Sequence, residues 1–285
     1  MSARTVPVTG ASRRRGSFFA ASAILVVIAL LGALAPWVAP YDPTAIPDAI
    51  GLRSQPPSAM HPFGTDVFSR DVLSRVIWGT RVSLEVSLLA VLLAIAVGTT
   101  FGAVAGYAGG RVDSVLMRFN DALLAIPRIL LLLGVLALWG TLPVGGLVLL
   151  LGLTGWFGVS RLVRGEVRAL AAREWVDAAR ALGVSHVRIL WRHILPHITA
   201  PVLIAATFGV ANVIVLEAGL SYLGFGVQPP RASWGSIIHD GSDAIAQQWW
   251  VSVFPGIALV ATSLALHVVA DRLRERLNPR QLPAP

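Results

Sequence analysis

Long uncharged apolar runs alternate along this chain with polar, proline-rich or arginine-rich connections. Runs at 18–40, 83–106, 121–140, 143–162, 198–222 and 249–270 each reach the roughly twenty residues a helix needs to cross hydrocarbon. A run of that length must satisfy its backbone groups internally, so each is predicted to be an α-helix. The predicted fold class is an all-α bundle with six membrane helices. The first run, Phe18 to Ala39, follows Arg13, Arg14 and Arg15 and admits a second reading as a secretory signal ending at Ala33-Leu34-Ala35. Its length and the five runs behind it favour a retained anchor. Ser12-Arg13-Arg14 bears a weaker, twin-arginine resemblance.

The connections carry patterns of their own. In 41–82, Pro43, Pro47, Pro56, Pro57 and Pro62 forbid one continuous helix through the first half. From Ser69 onward Val72, Leu73, Val76 and Ile77 recur at helical spacing, which predicts a separate interfacial helix before the second span. Residues 224–248 hold Gly224, Gly226, Pro229, Pro230 and Gly235 and predict tight turns beside a short helix near Ser236 to Ala246. That helix reads equally as a structural lid or as a gate touching solute. Trp249 and Trp250 then read as interface anchors.

The connection 165–197 predicts two helices with a sharp break. Val167, Ala171, Trp175, Ala178 and Leu182 form one apolar stripe, while Glu166, Arg168, Arg173, Glu174, Asp177 and Arg180 occupy the wet side. Arg173 with Asp177, and Asp177 with Arg180, fall at helical neighbour spacing. Gly183 suits the left-handed position that ends a helix, and Ser185 is placed to cap a second helix running from His186 until Pro196 kinks it.

Composition narrows the function. Hydrophobic residues make up 55% and charged ones 13% of 285 residues, against about 25% charged in soluble proteins. A water-soluble enzyme is disfavoured. Cysteine is absent and all 23 basic residues are arginine, which removes thiolate nucleophiles, cysteine zinc sites, Schiff-base lysines and a phosphate-loop lysine. With the amino terminus inside, seventeen arginines fall on inner segments and five on outer ones, with Arg128 inside a span, so both termini are expected in the cytoplasm. Asp42, Asp48, Asp66 and Asp71 offset the arginines of the first outer loop. The basic excess therefore faces anionic lipid or partner proteins on the inner side.

Read alone, Asp177 to Ser185 also resembles the turn of a helix-turn-helix. The would-be recognition helix, however, offers Val187, Ile189, Leu190, Trp191 and Ile194 where base-reading polar groups are needed. Nucleic acid is accordingly not an expected partner. Asp177-Ala178-Ala179, then Gly183, then His193-Ile194-Leu195-Pro196 instead resembles the EAA loop of ABC-importer permeases, with Asp for the usual leading Glu and His at a position often held by Ile. Glu174 and Arg180 extend the match toward the peptide-transporting branch. His61 to Asp66, Ser69 to Arg75, Gly79 to Leu84 and Glu217 to Pro230, continuing to Ser233-Trp234-Gly235, resemble the C-type permease subunit of dipeptide, oligopeptide and nickel importers. The resemblance covers about residues 15 to 280.

That resemblance implies a MetI-like permease core at 83–272, holding the coupling loop at 165–197. Around it stand a cytoplasmic tail at 1–17, a first span at 18–40, an external segment at 41–82 and a cytoplasmic tail at 273–285. It implies a half-channel in the inner membrane that works with a second, B-type permease, two cytoplasmic ATPases and an external solute-binding protein. ATP and Mg would be held by the ATPases, and no cofactor by this chain. The coupling residues would be Glu174, Asp177, Ala178, Ala179, Arg180, Gly183, His193, Leu195 and Pro196.

Charges within spans should avoid lipid, which applies to Glu85, Arg128 and Glu217. Asp121 and Arg128 lie two turns apart on one helical face, and Pro127 is placed to bend that helix. Arg128 is open to an intramolecular partner or a pathway role. Asn212 and Glu217 point in different directions, and Glu217 reads as a structural or gating residue near the outer mouth or as a ligand for a peptide amino group. His193 and His197 have metal-pair spacing but no third ligand, so no metal is expected. His267 reads as a buried hydrogen-bonding residue. No catalytic residue is assigned. The expected function is a peptide-importing permease subunit; nickel chelates or glutathione are the alternative cargo. A self-sufficient secondary transporter would need internal repeats and midplane ion sites that this chain lacks.

Overall fold

The computed structural model describes residues 9–48 and 50–277, with side chains from residue 16 onward. Arg4, Arg280 and the side chains of Arg13 to Arg15, which enter the expected charge asymmetry, lie outside the described residues. Twelve α-helices follow in order among the described residues: α1 Thr9–Ala33, α2 Ala35–Val38, α3 Val72–Ala108, α4 Gly110–Leu124, α5 Arg128–Trp139, α6 Val144–Leu153, α7 Trp156–Ala171, α8 Glu174–Ala181, α9 His186–Arg188, α10 Thr199–Tyr222, α11 Trp234–Ser242 and α12 Trp249–Leu277. Between α9 and α10 the chain stays helical as a π segment, Ile189–Ile194, and a 3-10 turn, Leu195–Ile198. The all-α class holds; the one strand-like contact among the described residues is the isolated pairing of Thr65 with Asp71.

Four helical stretches are long and apolar enough to cross a membrane, and six if each of two bent pairs forms one span. The pair α4 and α5 bends by 76° around Ala125 to Pro127, where the ring of Pro127 cannot continue the helix. Asp121 and Arg128 therefore do not lie on one continuous face as expected. The pair α6 and α7 bends by 40°.

The separate interfacial helix expected before residue 83 does not exist as such. Asp71 caps α3 by accepting from the Ser74 amide at 2.8 Å, and the helix then runs unbroken for 37 residues. At 1.5 Å per residue this is about 55 Å, well beyond a hydrocarbon core of about 30 Å. Part of the helix must therefore extend beyond the hydrocarbon core.

α3 is the axis of the fold. Along its lower half Gly98, Gly102 and Gly106 recur every four residues and face α7. A β-carbon at Gly98 would sit 2.8 Å from the Trp156 carbonyl, one at Gly106 2.6 Å from that of Arg164, and one at Gly102 would meet the Ser160 carbonyl. Small residues at this spacing let two membrane helices approach backbone to backbone. α1 lies at the periphery and, among its described side chains, buries only the narrow seam of Ala21, Ile28 and Gly32, packed on α3 and α12.

Two principal apolar cores result, with a smaller cluster of Ala94, Trp156 and Phe157 between α3 and α7. The larger joins the upper half of α3 to α10, α11 and α12 through Val72, Val86, Ile214, Leu220, Trp234 and Val251. A second, at the opposite end of α3, gathers Ala103, Val163, Val167, Val176, Ile189, Ile194 and Ile198.

Candidate functional site: a hairpin and a clasp at opposite ends of one helix

The hairpin at the lower end begins where α7 stops at Ala171. No glycine or proline marks the break; Ala172 and Arg173 leave the helical register, and α8 restarts with a new facing. The expected stripe is thereby reset. Val176 is the residue that α8 buries, while Trp175, Ala178 and Leu182 are exposed, Leu182 at 84%. Glu174, Asp177 and Arg180 are exposed as well, and Asp177 pairs with Arg180 at 3.0 Å.

Gly183 ends α8 with φ of 77°. Its amide donates to the Arg180 carbonyl at 2.9 Å, and the Val184 amide donates to that of Ala179 at 3.1 Å. These are the two bonds of a Schellman cap, which needs a left-handed residue at this position. Val184 and Ala179 both pack on the lower core. The capping role expected of the Ser185 side chain is absent; only its carbonyl accepts, from the Ile189 amide at 3.0 Å. Pro196 falls in the 3-10 turn Leu195–Ile198, where the helical geometry changes before the chain continues into α10.

The imidazole of His197 stacks on Trp175 at 5.7 Å between ring centroids, and His193 lies 6.5 Å from the same ring. No cluster of metal-ligating groups occurs among the described residues. Leu195 is half-buried against the lower core. The hairpin is fastened to α3 by Tyr107, whose hydroxyl lies 2.9 Å from His186 Nδ1 and whose ring carries the Arg180 guanidinium at 5.6 Å.

The clasp at the upper end joins motif residues that lie far apart along the chain. Asp66 Oδ1 accepts from the amides of Phe68 and Arg70, and its Oδ2 accepts from Arg70 Nε at 2.7 Å and Arg75 Nη1 at 2.6 Å. Both arginines also donate to Asp240 Oδ2 on α11, each at 2.8 Å. Arg75 is 3% exposed and Asp66 fully buried, so the inner pair of this four-membered charge network is held away from water, where pairing matters most, while Arg70 and Asp240 are partly exposed. His61 Nδ1 lies 2.9 Å from Asp71. In the adjoining loop the hydroxyl and amide of Thr44 hold the Asp42 carboxyl below the usual range. Trp250 is not an interface anchor: it is 5% exposed and donates to the Thr65 carbonyl at 3.0 Å, leaving Trp249 as the exposed partner.

α11, capped by Ser233 and Ser236, starts two residues before the expected helix and ends at Ser242. Gly235 approaches α10 so closely that a β-carbon would lie 2.5 Å from Ala218 Cα. Glu217 is fully buried beneath it. Its carboxyl accepts from Ser221 at 2.6 Å and Ser83 at 3.4 Å, and Ser83 in turn accepts from the Trp234 amide at 3.2 Å. One acidic side chain thus ties α10 to α3 and α11.

The remaining pathway candidates are dispersed. Arg128 donates to the Leu151 carbonyl at 2.7 Å and to Thr154 at 3.3 Å, and Asp121 pairs with Arg161 at 2.5 Å. Asn212 is exposed on α10, and Glu85 is exposed on α3. His267 is half-buried and bonds the Ser263 carbonyl at 2.7 Å.

Comparison with known proteins places this architecture. Residues 13–57 match the N-terminal membrane domain of oligopeptide transport permease C. A putative peptide transport system permease protein of Brucella suis is 41% identical over 267 residues, covering 94% of this chain and 89% of the relative. The oligopeptide transport system permease protein OppC and the dipeptide transport system permease protein DppC of Bacillus subtilis are 37% and 35% identical, each over 90% of this chain and over 83% and 80% of their own lengths. Residues 98–282, well over half the sequence, match the binding-protein-dependent transport system inner membrane component, and the chain belongs to that family of membrane permeases.

Proposed function

We propose that this chain is one permease subunit of an ATP-driven importer of dipeptides or oligopeptides, forming half of the translocation pathway. It crosses the inner membrane six times, each bent pair counting once, with both termini and the hairpin in the cytoplasm and the clasp outside. Its working assembly contains a second permease, two ATPases that bind and hydrolyse ATP with Mg, and an external solute-binding protein. The observation that carries this reading is the hairpin. A short, ordered, multiply capped knuckle presents Ala178, Leu182 and Val187 to solvent beside Glu174, Asp177 and Arg180. Exposed apolar side chains rimmed by charge on a rigid element mark a protein interface. The chain has no lysine for a phosphate loop, so the free energy must enter from a partner.

Glu174, Asp177, Ala178, Ala179, Arg180 and Gly183 form the docking limb of this coupling loop, and His193, Leu195 and Pro196 the limb that returns its motion to α10. Tyr107 carries the same motion into α3, which reaches the clasp without a break. Glu217 then acts as the pin at which α10, α3 and α11 part or close, a rigid-body switch. Arg128 and Asp121 hold the two bent spans in register, and Asn212 presents its amide to the pathway or to the second permease.

An Ala178→Cys variant provides the test, because the natural chain contains no cysteine. The introduced thiol crosslinks to an ATPase subunit in active membranes. Undiminished peptide uptake with no such crosslink would remove the hairpin as the handle.

A further inference from the structure

Every arginine of the clasp, and Arg161 and Arg164 below it, has a carboxylate partner. Three charged side chains near the upper end of α3 form no ion pair among the described residues. Arg81 and Glu85 sit one turn apart on the exposed stripe of α3, and Arg231 faces them from the loop that leads into α11. Among the described residues Glu85 and Arg231 form no ion pair, and the Arg81 guanidinium is placed only over the Trp78 ring, at 5.9 Å. All three open into one cleft of about 430 Å³, whose other walls include Trp78, Val82, Pro43 and Pro230. That volume lies within the range of roughly 300–1,000 Å³ typical of small-molecule sites.

An ionised carboxyl in a membrane helix is costly unless something of opposite charge meets it. The cleft holds both signs of charge, and residues four apart on a helix stand about 5–6 Å apart. A two-residue peptide in extended form spans about 3.5 Å per residue between its charged ends. The remaining walls are mainly apolar, and the Thr44 hydroxyl among them is already engaged by Asp42. A polar-ended, side-chain-tolerant cleft of this kind fits the one feature all short peptides share.

We propose that this cleft is a transit site for the zwitterionic backbone of a short peptide, with Glu85 receiving the α-ammonium group and Arg81 and Arg231 the α-carboxylate. Ser83, which bonds Glu217 and the Trp234 amide, lies on the opposite, buried face of α3, and the cleft reaches that junction through its Pro230–Ala232 wall, which leads directly into Ser233 and Trp234. This inference rests on the peptide-import reading above.

The test uses the complete transporter with its unmodified solute-binding protein in vesicles, and follows ATP-driven accumulation of labelled dialanine. Glu85→Gln is expected to lower accumulation about tenfold, the loss of one charge-assisted hydrogen bond. Receptor-stimulated ATP hydrolysis and subunit ratios in the purified assembly are expected to persist. The double change Arg81→Gln with Arg231→Gln acts in the same direction. Dialanine uptake by Glu85→Gln equal to that of the natural sequence would overturn the site, as would loss of the second permease on purification, which would make Glu85 a subunit contact. A parallel fall in ATP hydrolysis would overturn it too, making Glu85 a gating residue. If the natural sequence itself accumulates no dialanine, the peptide-import reading fails first and the transit site with it.

Discussion

Replacing Gly183 separates backbone geometry from surface bulk at the hairpin. The residue has φ of 77°, and a β-carbon built there meets nothing within 4 Å. Any penalty is therefore conformational rather than steric. A left-handed backbone costs an ordinary residue about 1–2 kcal/mol, Asn less, and a β-branched residue more. Burial of Val176, the one fully buried side chain of α8, contributes about 1.5–3 kcal/mol, so the penalty is comparable with what holds the tip in place. A shift of 1–2 kcal/mol changes the ratio of formed to frayed tips by roughly 5–30-fold. Peptide uptake, normalised to the amount of inserted protein, should fall in the order Gly, Asn, Ala, Val, with Val nearly inactive. A purely steric effect at a docking surface would instead make Ala the mildest change. Val performing like Gly, or Ala outperforming Asn, would refute the assigned conformation as the basis of coupling.

Three further outcomes follow from the packing and the charges. Gly102→Val forces α3 away from the Ser160 backbone and should destabilise the purified assembly by about 1–3 kcal/mol or more, lowering its melting temperature, whereas Gly134→Ala, with nothing within 4 Å, should not. Equal melting of the two would remove the glycine seam as the α3–α7 contact. Asp240→Asn strips one carboxylate from Arg70 and Arg75; because Asp240 keeps 24% exposure the cost is about 1–3 kcal/mol, below the roughly 3–5 of a fully buried pair. Hydrogen exchange across 50–71 should quicken, and unchanged exchange would show that the clasp is not closed by these pairs. Single cysteines at Met60 and Ser185, both exposed, should be labelled by an impermeant thiol reagent from outside and only after permeabilisation, respectively; the reverse pattern would invert the topology.

What the sequence made legible follows the range of the interactions involved. The apolar runs, the bend at Pro127, the turn at Gly183 and the short helix before Trp249 are local, and each rests on a residue whose backbone preference or hydropathy acts within a few positions. The break at Ala172 and Arg173 carries no proline or glycine, so helical periodicity ran straight through it and assigned Leu182 to a buried stripe that it does not join. The amphipathic spacing of Val72, Leu73, Val76 and Ile77 beside Arg70 and Arg75 is the pattern of an interfacial helix, whereas α3 runs through it unbroken. In the fold Arg75 is neutralised by Asp66 and Asp240, and Arg81 lines a cleft. The clasp itself joins residues up to 170 positions apart, and no local pattern marks Asp240 as the partner of Arg70. The alternation of Asp66, Arg70, Asp71 and Arg75 was a visible hint that charge pairing rather than solvation governs that segment.

The most direct measurement is vectorial peptide flux into sealed vesicles, compared between this chain reconstituted alone and the chain with a second permease, two ATPases and a solute-binding protein. Accumulation that requires the ATPases and hydrolysable ATP is the predicted result. Sustained accumulation by the solitary chain, with no motor present, would contradict it.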